Sequence, residues 1–557
     1  MKQSDLKALQ VTLKELLDKG YTIEDITNAV NQVDVKQIEI TQPTETSKTK
    51  VKQQKNNPLL NKILFGAKSF DEAIESSEFT SQTEALLHIL EGRSVYISGK
   101  AGTGKTEVIR VYRELMDYLK DNHEEKARST AYTSTTGISA RIFNGETIHA
   151  VGAIGIDSKC DWKTTKQRLY RRSRALEDID TIIVDECSMM SNFQLDKLNY
   201  NLKNANKNLI PFGGKQIVFI GDMLQLPPIK QNDDYLLHGK ETNFSFTSKA
   251  WDDAKVTNLY LDKVHRAKDS DLSYLLEQVS IGNLKDEKVQ EIFNNILKQD
   301  TRKPGEVYSK LYTVNRSVDK YNREQQKKNP NKGMWYDLQC KIGDWEKVAK
   351  QSGDSSKGLL FKPDDVVMCT ANIPDGPKNG SIGKVVSVKE DYVVVNFNDN
   401  DIPRHFRVEY RENKIIQLKE YKQLKSGALV DINKKVPAGE KTERVLVEEL
   451  VGSYEQIPLK LAYAITVHKS QGQTFDGVEI DLSNCFTEGL AYVALSRVSS
   501  VDDIVVSKPF SISTLKANEE AIDFTKKCRE EAKLNREKYL SSLRKTYDKL
   551  VELLQQN

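Results

Sequence analysis

The stretch "GKAGTGKT", Gly99 to Thr106, decides how this chain is read. It starts where the apolar run Val95-Tyr96-Ile97 ends, and so short an apolar run is expected to be a buried parallel strand. Beyond it, "EVIRVYRELMDYL" sets Val108, Val111, Leu115 and Leu119 on one helical face. Glycines between a strand and a helix let backbone N–H groups converge on phosphate oxygens, and the helix N-terminus adds favourable partial charge. Gly99, Gly102 and Gly104 form this cradle. Lys105 is placed to reach the β- and γ-phosphates and Thr106 to ligate Mg²⁺. The motif implies ATP-like chemistry and leaves open what the chain does with it.

The rest of the chain narrows the choice. Its 557 residues imply several domains, and 38% hydrophobic with 29% charged residues is the balance of a globular protein. The longest apolar runs fall short of the roughly 18 to 20 residues that span a bilayer. "MKQSDLKALQVTLKELLDKG" carries acids and no apolar core, so it is expected to be neither a secretory signal nor an Arg-rich transit peptide. Six cysteines without CxxC pairing read as ordinary reduced thiols. A net charge of +3 does not argue for nucleic acid by itself, so any such contact must be locally basic.

From about 80 to 260 the runs "SVYIS", "STAYTS", "TIIVDE" and "QIVFIG" alternate with helical patterns, which implies a parallel sheet with helices on both faces. A second such pattern, with "LYTV", "GVEIDL" and "DIVVS", is interrupted from about 384 to 455 by alternating, hairpin-like strands. Residues 1–34 read as a two-helix hairpin, 35–58 as a flexible linker, and 513–557 as a charged, core-facing helical tail.

Two further strings carry chemistry. "TIIVDECSMM" delivers Asp185 and Glu186 to the C-terminal edge of a strand, where ligands of open α/β sheets bind. Asp185 can hold Mg²⁺ through water, and Glu186 can act as general base toward the attacking water. "VFIGDMLQLPPI" puts Gln225 on a proline-stiffened loop where it can sense the γ-phosphate.

Together with "TSTTGISARIFNGETIHA", "LYTVNRSVDKYN", "LKLAYAITVHKSQGQTF" and "AYVALSRV", these strings resemble the PIF (petite integration frequency) family of superfamily-one DNA helicases, relatives of RecD-type enzymes, over about residues 78 to 510. The resemblance implies an α/β fold of two tandem RecA-like P-loop domains. The first would span 59–260 with a basic wedge insertion near 150–175, and the second 261–383 and 456–512. A small SH3-like β-barrel would occupy 384–455, with helical extensions at both ends. It also implies roles. Gln82 would read adenine, and Arg266 and Arg497 would reach the γ-phosphate from the second domain. Gln471 and Gly472 would couple nucleotide to DNA. Thr133, Ser134, Thr135, Thr136 and the N–H groups around Gly137 suit DNA phosphates, as do Thr147 and His149. Asn315, Arg316, His468, Lys469 and Ser470 would grip from the second domain. "HRAKD", residues 265–269, lacks the glutamine that usually follows Arg266 in the family.

The expected function is an ATP- and Mg²⁺-dependent DNA helicase moving 5′ to 3′ on single-stranded DNA and opening forked duplexes, in replication, recombination or repair. Two other readings stay open: a translocase that remodels nucleic-acid complexes without strand separation, and a nucleotide-dependent replication assembly factor. The N-terminal helices are expected either to dock a replication protein or to fold back on the main body. The expected compartment is the cytoplasm of a bacterium or phage-infected cell, or a nucleus or mitochondrion if the source is eukaryotic.

Overall fold

The computed structural model describes residues 58–140, 145–154, 175–230, 241–265, 269–298, 308–343, 358–371, 373, 376–377, 380–399, 402–424, 427–431, 434, 442–485 and 487–555. The N-terminal hairpin, the linker up to residue 57, the basic segment 163–174 and Arg266 lie outside the described residues, and Pro58, expected to close the linker, opens the helix Pro58–Ile63.

The first lobe is built on six parallel strands, β1 (Val95–Gly99), β2 (Thr130–Ser134), β3 (Glu146–Thr147), β4 (Thr181–Asp185), β5 (Gln216–Ile220) and β6 (Thr257–Leu261), in the order β3-β2-β4-β5-β1-β6. The central strands β1, β4 and β5 are buried along their whole length, as continuous apolar runs covered on both faces should be. Because they are neighbours, the loops after them share one edge. That edge collects the glycine cradle, the Asp185-Glu186 pair and Gly221-Asp222.

Two hydrophobic layers cover this sheet. On one face the helix Lys105–Asn122 buries Val108, Val111, Tyr112, Leu115 and Leu119 against Val95, Ile97, Val218 and Ile220. On the other face Leu195, Leu198 and Leu202 pack with Tyr96, Ile182, Val184 and Phe219. That second cluster continues without a break into the second lobe, through Leu311, Val478, Ile480, Tyr492 and Leu495.

The second lobe has four parallel strands in the order Ala464–Thr466, Ser309–Tyr312, Val478–Asp481, Ile504–Val506. Antiparallel strands interrupt it. Ile402–Glu409, Tyr392–Asp399, Ile382–Val388, Val366–Cys369 and Leu459–Leu461 form one sheet, which encloses its own core of Val367, Val385, Val395, Phe397 and Val408. The hairpin Arg411–Leu424 with Thr442–Gln456 belongs to a second, four-stranded sheet that includes Gln339–Ile342. The expected insertion boundary at 384 therefore falls inside a strand. Val366–Cys369 pairs with Ile382–Val388 and Leu459–Leu461, so the antiparallel region extends beyond 384–455 on both sides.

The chain ends in one long helix, Glu519–Gln555. Its start packs in the core shared by the lobes through Ala521 and Cys528, while Phe524 stacks on Phe246 at 3.9 Å. Its end buries Leu550, Leu553 and Leu554 against the first lobe. The five cysteines among the described residues are free thiols. Among the described residues no helix is long and apolar enough to cross a membrane.

Candidate nucleotide site and nucleic-acid interface

The cradle is held open by backbone conformation. Gly102 and Gly104 adopt φ of 81° and 78°, a left-handed region that favours glycine. Space reinforces the requirement at Gly104, where an added Cβ would lie 2.4 Å from the Gln82 amide nitrogen. Gln82 is thus seated against the loop, donating from Nε2 to the Gly104 carbonyl at 3.2 Å. The Lys105 ammonium donates to the carbonyls of Gly99 at 2.6 Å and Lys100 at 2.8 Å. Thr106 follows it in the first turn of the same helix.

Across the sheet edge sit three carboxylates, Asp185 and Asp222 buried and Glu186 partly so. Burial pushes the Asp185 carboxyl upward, and the neighbouring Glu186 pushes it further. Glu186 is also raised by burial, with Arg497 and Lys105 opposing. Asp222 is raised by burial and opposed by Lys105. Glu186 has φ 52°, in the left-handed region that costs a side-chain-bearing residue energy. Its carbonyl is held there by the Thr135 hydroxyl, which donates at 2.9 Å. The three carboxylates outnumber the two cations beside them, Lys105 and Arg497, which fits a divalent cation bound together with phosphate. Mg²⁺ is usually held by one or two carboxylates plus phosphate and water rather than by an all-protein cage.

The second lobe reaches into this cluster. The Gln471 amide donates to Glu186 Oε2 at 3.0 Å. Tyr492 accepts from the Ala101 N–H at 3.0 Å and donates to Asp222 Oδ2 at 2.7 Å, so one hydroxyl joins the cradle to the third carboxylate. Gly489 comes so near that a Cβ there would lie 2.3 Å from the Gln225 carbonyl oxygen. Arg497 is 2% exposed and its guanidinium donates to the carbonyls of Val493, Ser470 and Gln473 and to the Ser496 hydroxyl. From there its charge lowers the pKa of Glu186. The amide oxygens of Gln225 and Gln471 are buried with no hydrogen-bond partner among the described residues. They are two acceptors at the edge where phosphate chemistry would occur.

The DNA candidates divide into two groups. Thr136 and Gly137 from the first lobe, and Asn315, His468 and Lys469 from the second, line one interlobe cavity of about 780 Å³. Burial lowers the His468 pKa, which favours the neutral ring. Thr133 and Ser470 do not belong with them. Thr133 is fully buried and its hydroxyl donates to the Ile183 carbonyl at 2.5 Å; Ser470 is equally buried and donates to the Val467 carbonyl at 2.8 Å. Both hydroxyls serve the sheet or helix that carries them. Ser134 is likewise buried, donating to the Asp185 carbonyl. Thr147 caps a short helix by accepting from the Ala150 N–H at 3.3 Å, and His149 lies in that helix. Neither lines the cavity.

Three residues that matter here were not singled out in the sequence. Tyr492 sits among small apolar residues in "AYVALSRV", and Gly489 just precedes that string. Lys460 is the second residue of the string that carries His468 and Lys469, and it lines the same cavity. Burial, and then the Lys469 ammonium beside it, lower Lys460 to about 7. Both lysines also line an adjoining cavity of about 820 Å³ with Arg323, Arg411, Tyr454 and Trp335. Trp335 is 62% exposed, although it is a large aromatic residue.

Comparisons with known proteins bear on the family and the fold. A family model described as PIF1-like helicase matches residues 77–295. The chain is 30% identical to "ATP-dependent DNA helicase Pif1" of Psychrobacter sp. (strain PRwf-1), over 76% of this chain and 67% of that protein. It is 28% identical to "ATP-dependent DNA helicase RRM3" of Saccharomyces cerevisiae, over 85% of this chain and 71% of that one. The crystal structure of Pif1 helicase from Candida albicans superimposes with a TM-score of 0.64 at 26% identity, covering 80% of this chain and 98% of that structure. Bacteroides Pif1 bound to single-stranded DNA shares the fold, with a TM-score of 0.63 at 24% identity, over 81% of this chain and 96% of that one.

Proposed function

This chain belongs to the PIF1-like helicase family and is an ATP-dependent DNA helicase, and on that premise we propose how its lobes form a motor that moves 5′ to 3′ on single-stranded DNA. The observation that carries the proposal is the Gln471 amide, which crosses from the second lobe to the carboxylate of Glu186 in the first. A contact from one lobe to the candidate base in the other makes hydrolysis depend on how the lobes are set.

In this reading Gln82 recognises adenine, and the N–H groups of the cradle with Lys105 hold the β- and γ-phosphates. Thr106 and Asp185 would hold Mg²⁺, which when bound offsets phosphate charge. Glu186 takes the proton of the attacking water, oriented by Gln471. Arg497 and Arg266 stabilise charge on the departing γ-phosphoryl group, a contribution on the order of 10³ to 10⁵ in rate for such arginines. Gln225 and the Asp222–Tyr492–Ala101 chain pass the loss of the γ-phosphate to the second lobe.

The DNA strand runs through the cavity lined by Thr136, Gly137, Asn315, His468 and Lys469 and on into the one flanked by Trp335 and Arg411. Backbone contacts with an aromatic stacking surface bind single strands without sequence preference. The antiparallel insertion serves as an SH3-like barrel beside that path, and the basic segment 163–174 as the wedge. The N-terminal helices dock a replication protein, and the enzyme works in a bacterial or phage-infected cytoplasm. The test is strand separation on forks carrying only a 5′ or only a 3′ tail. ATP-dependent unwinding restricted to the 5′-tailed fork, and lost in Glu186→Gln, is the expected result. Unwinding from the 3′ tail overturns the polarity, and stimulated hydrolysis without unwinding of either fork overturns strand separation.

A further inference from the structure

We propose that Arg536, on the C-terminal helix, is a positioning residue for adenine recognition, so that this helix forms part of the nucleotide site. The inference rests on the reading of Gln82 as the adenine reader. Gln82 is the first residue of the helix Gln82–Leu90, whose N-terminus is closed by a reciprocal cap. The Glu84 N–H donates to the Ser81 hydroxyl at 3.2 Å and the Ser81 N–H donates to Glu84 Oε2 at 2.6 Å.

That Glu84 carboxylate is 1% exposed, and a buried carboxylate demands a charged partner. The partner comes from 452 residues away. Arg536 donates from Nε to Oε1 at 2.8 Å and from Nη2 to Oε2 at 2.6 Å, while its Nη1 donates to the Ser77 carbonyl at 2.8 Å. One guanidinium thus fixes both ends of the segment 77–84 that sets Gln82 against Gly104. Neighbouring side chains on the helix grip the same segment. Lys533 pairs with Glu78 at 2.7 Å, and Arg529 lies over the Phe79 ring at 4.9 Å. On its far side the segment meets Asp262, through the Ser77 hydroxyl and the Glu78 N–H. Asp262 immediately follows β6 and leads toward Arg266.

Docking of the helix does not depend on Arg536. Leu543, Leu550, Leu553 and Leu554 already bury its second half in the first lobe. Arg536 instead contributes direction, because a planar fork bound to both carboxylate oxygens resists rotation where a single ammonium does not.

The experiment measures steady-state hydrolysis of ATP and GTP by the full chain at saturating single-stranded DNA, together with its melting temperature. Arg536→Gln is expected to raise KM for ATP about tenfold while kcat stays within about twofold, the pattern of a lost binding contribution. The preference for ATP over GTP should shrink toward that of Gln82→Ala. Arg536→Lys should recover only part of it. Arg544→Ala, which breaks the exposed pair with Asp71 further along the helix, should leave KM and preference as they were. Wild-type KM and preference in Arg536→Gln overturn the proposal. So does a joint fall of KM-independent rate and melting temperature with preference intact, which marks a structural role alone. If Gln82→Ala itself keeps the ATP preference, the adenine reading fails and takes this inference with it. If Gln82→Ala loses the preference and Arg536→Gln keeps it, only the role of Arg536 falls.

Discussion

The two lobes meet in two unlike ways. On the nucleotide side they touch through directed bonds, Gln471 to Glu186 and Tyr492 to Ala101 and Asp222, and through the close approach of Gly489 to Gln225. On the other side they leave room, a cavity of about 780 Å³ lined from both lobes by Thr136, Asn315, His468 and Lys469. The difference separates the element that fires from the element that grips. Bonds that tight break or form as a unit, so they suit a switch. A roomy channel, open to both lobes, suits a ligand that must slide.

Mutations should divide along the same line. On the firing side, Lys105→Ala should abolish ATP hydrolysis, and Glu186→Gln should slow it by about 10² to 10⁴, the usual worth of a general base. Radiolabelled phosphate release, with nucleotide binding followed separately, checks both. Normal turnover in either variant removes that residue from the chemistry. Tyr492→Phe keeps the ring and deletes the interlobe bridge. Losing a hydrogen bond to a buried carboxylate costs about 1 to 3 kcal/mol, so DNA-stimulated kcat should drop about tenfold or more.

On the gripping side the losses should be smaller and should appear in DNA affinity. Trp335→Ala should weaken single-stranded DNA binding by about 1 to 3 kcal/mol, the worth of one stacked base. Lys469→Ala should weaken it less, with the salt slope shallower by about 0.7 for one lost phosphate contact. Fluorescence anisotropy across a salt series reads both. If Trp335→Ala lowers kcat at saturating DNA and spares affinity, the division between the two sides is wrong.

A region remote from both sides gives the smallest effect. His88 is buried beside Tyr539 of the C-terminal helix, and burial followed by the Arg93 charge lowers its pKa to about 3. The folded chain therefore keeps this ring neutral where the unfolded chain binds a proton, below about pH 6.5. Stability must fall as pH drops through that value, by about 1.4 kcal/mol at pH 5.5 from this group. Denaturant unfolding at pH 7.5 and 5.5 measures it, and His88→Gln should flatten the difference.

How far the sequence revealed this follows from what is local. The cradle was legible because strand, glycines and helix are contiguous and their conformational demands are written in residue types. Strands β1, β2, β4 and β5 were legible as apolar or β-branched runs. The two-residue β3, the polar start of β6 and Ala464–Thr466 were too short or too mixed to stand out. Thr133 shows a different limit. Its hydroxyl suits a phosphate, but β2 is covered on both faces at this point, and the hydroxyl turns to the Ile183 carbonyl of the neighbouring strand. Tyr492 looks like any packed aromatic residue until the other lobe supplies Ala101 and Asp222. Arg536 and Glu84 lie 452 residues apart, and no spacing rule joins them.

The unbroken apolar seam from Phe219 and Tyr96 through to Ile480 and Leu495 has a mechanical consequence. Pulling the lobes fully apart would wet that seam, at a cost of about 25 cal/mol for each Å² of apolar surface exposed. The seam therefore works as an axle. The lobes can pivot about it, so a small rotation at the phosphate end would become a longer stroke at the far rim, where the proposed strand path lies.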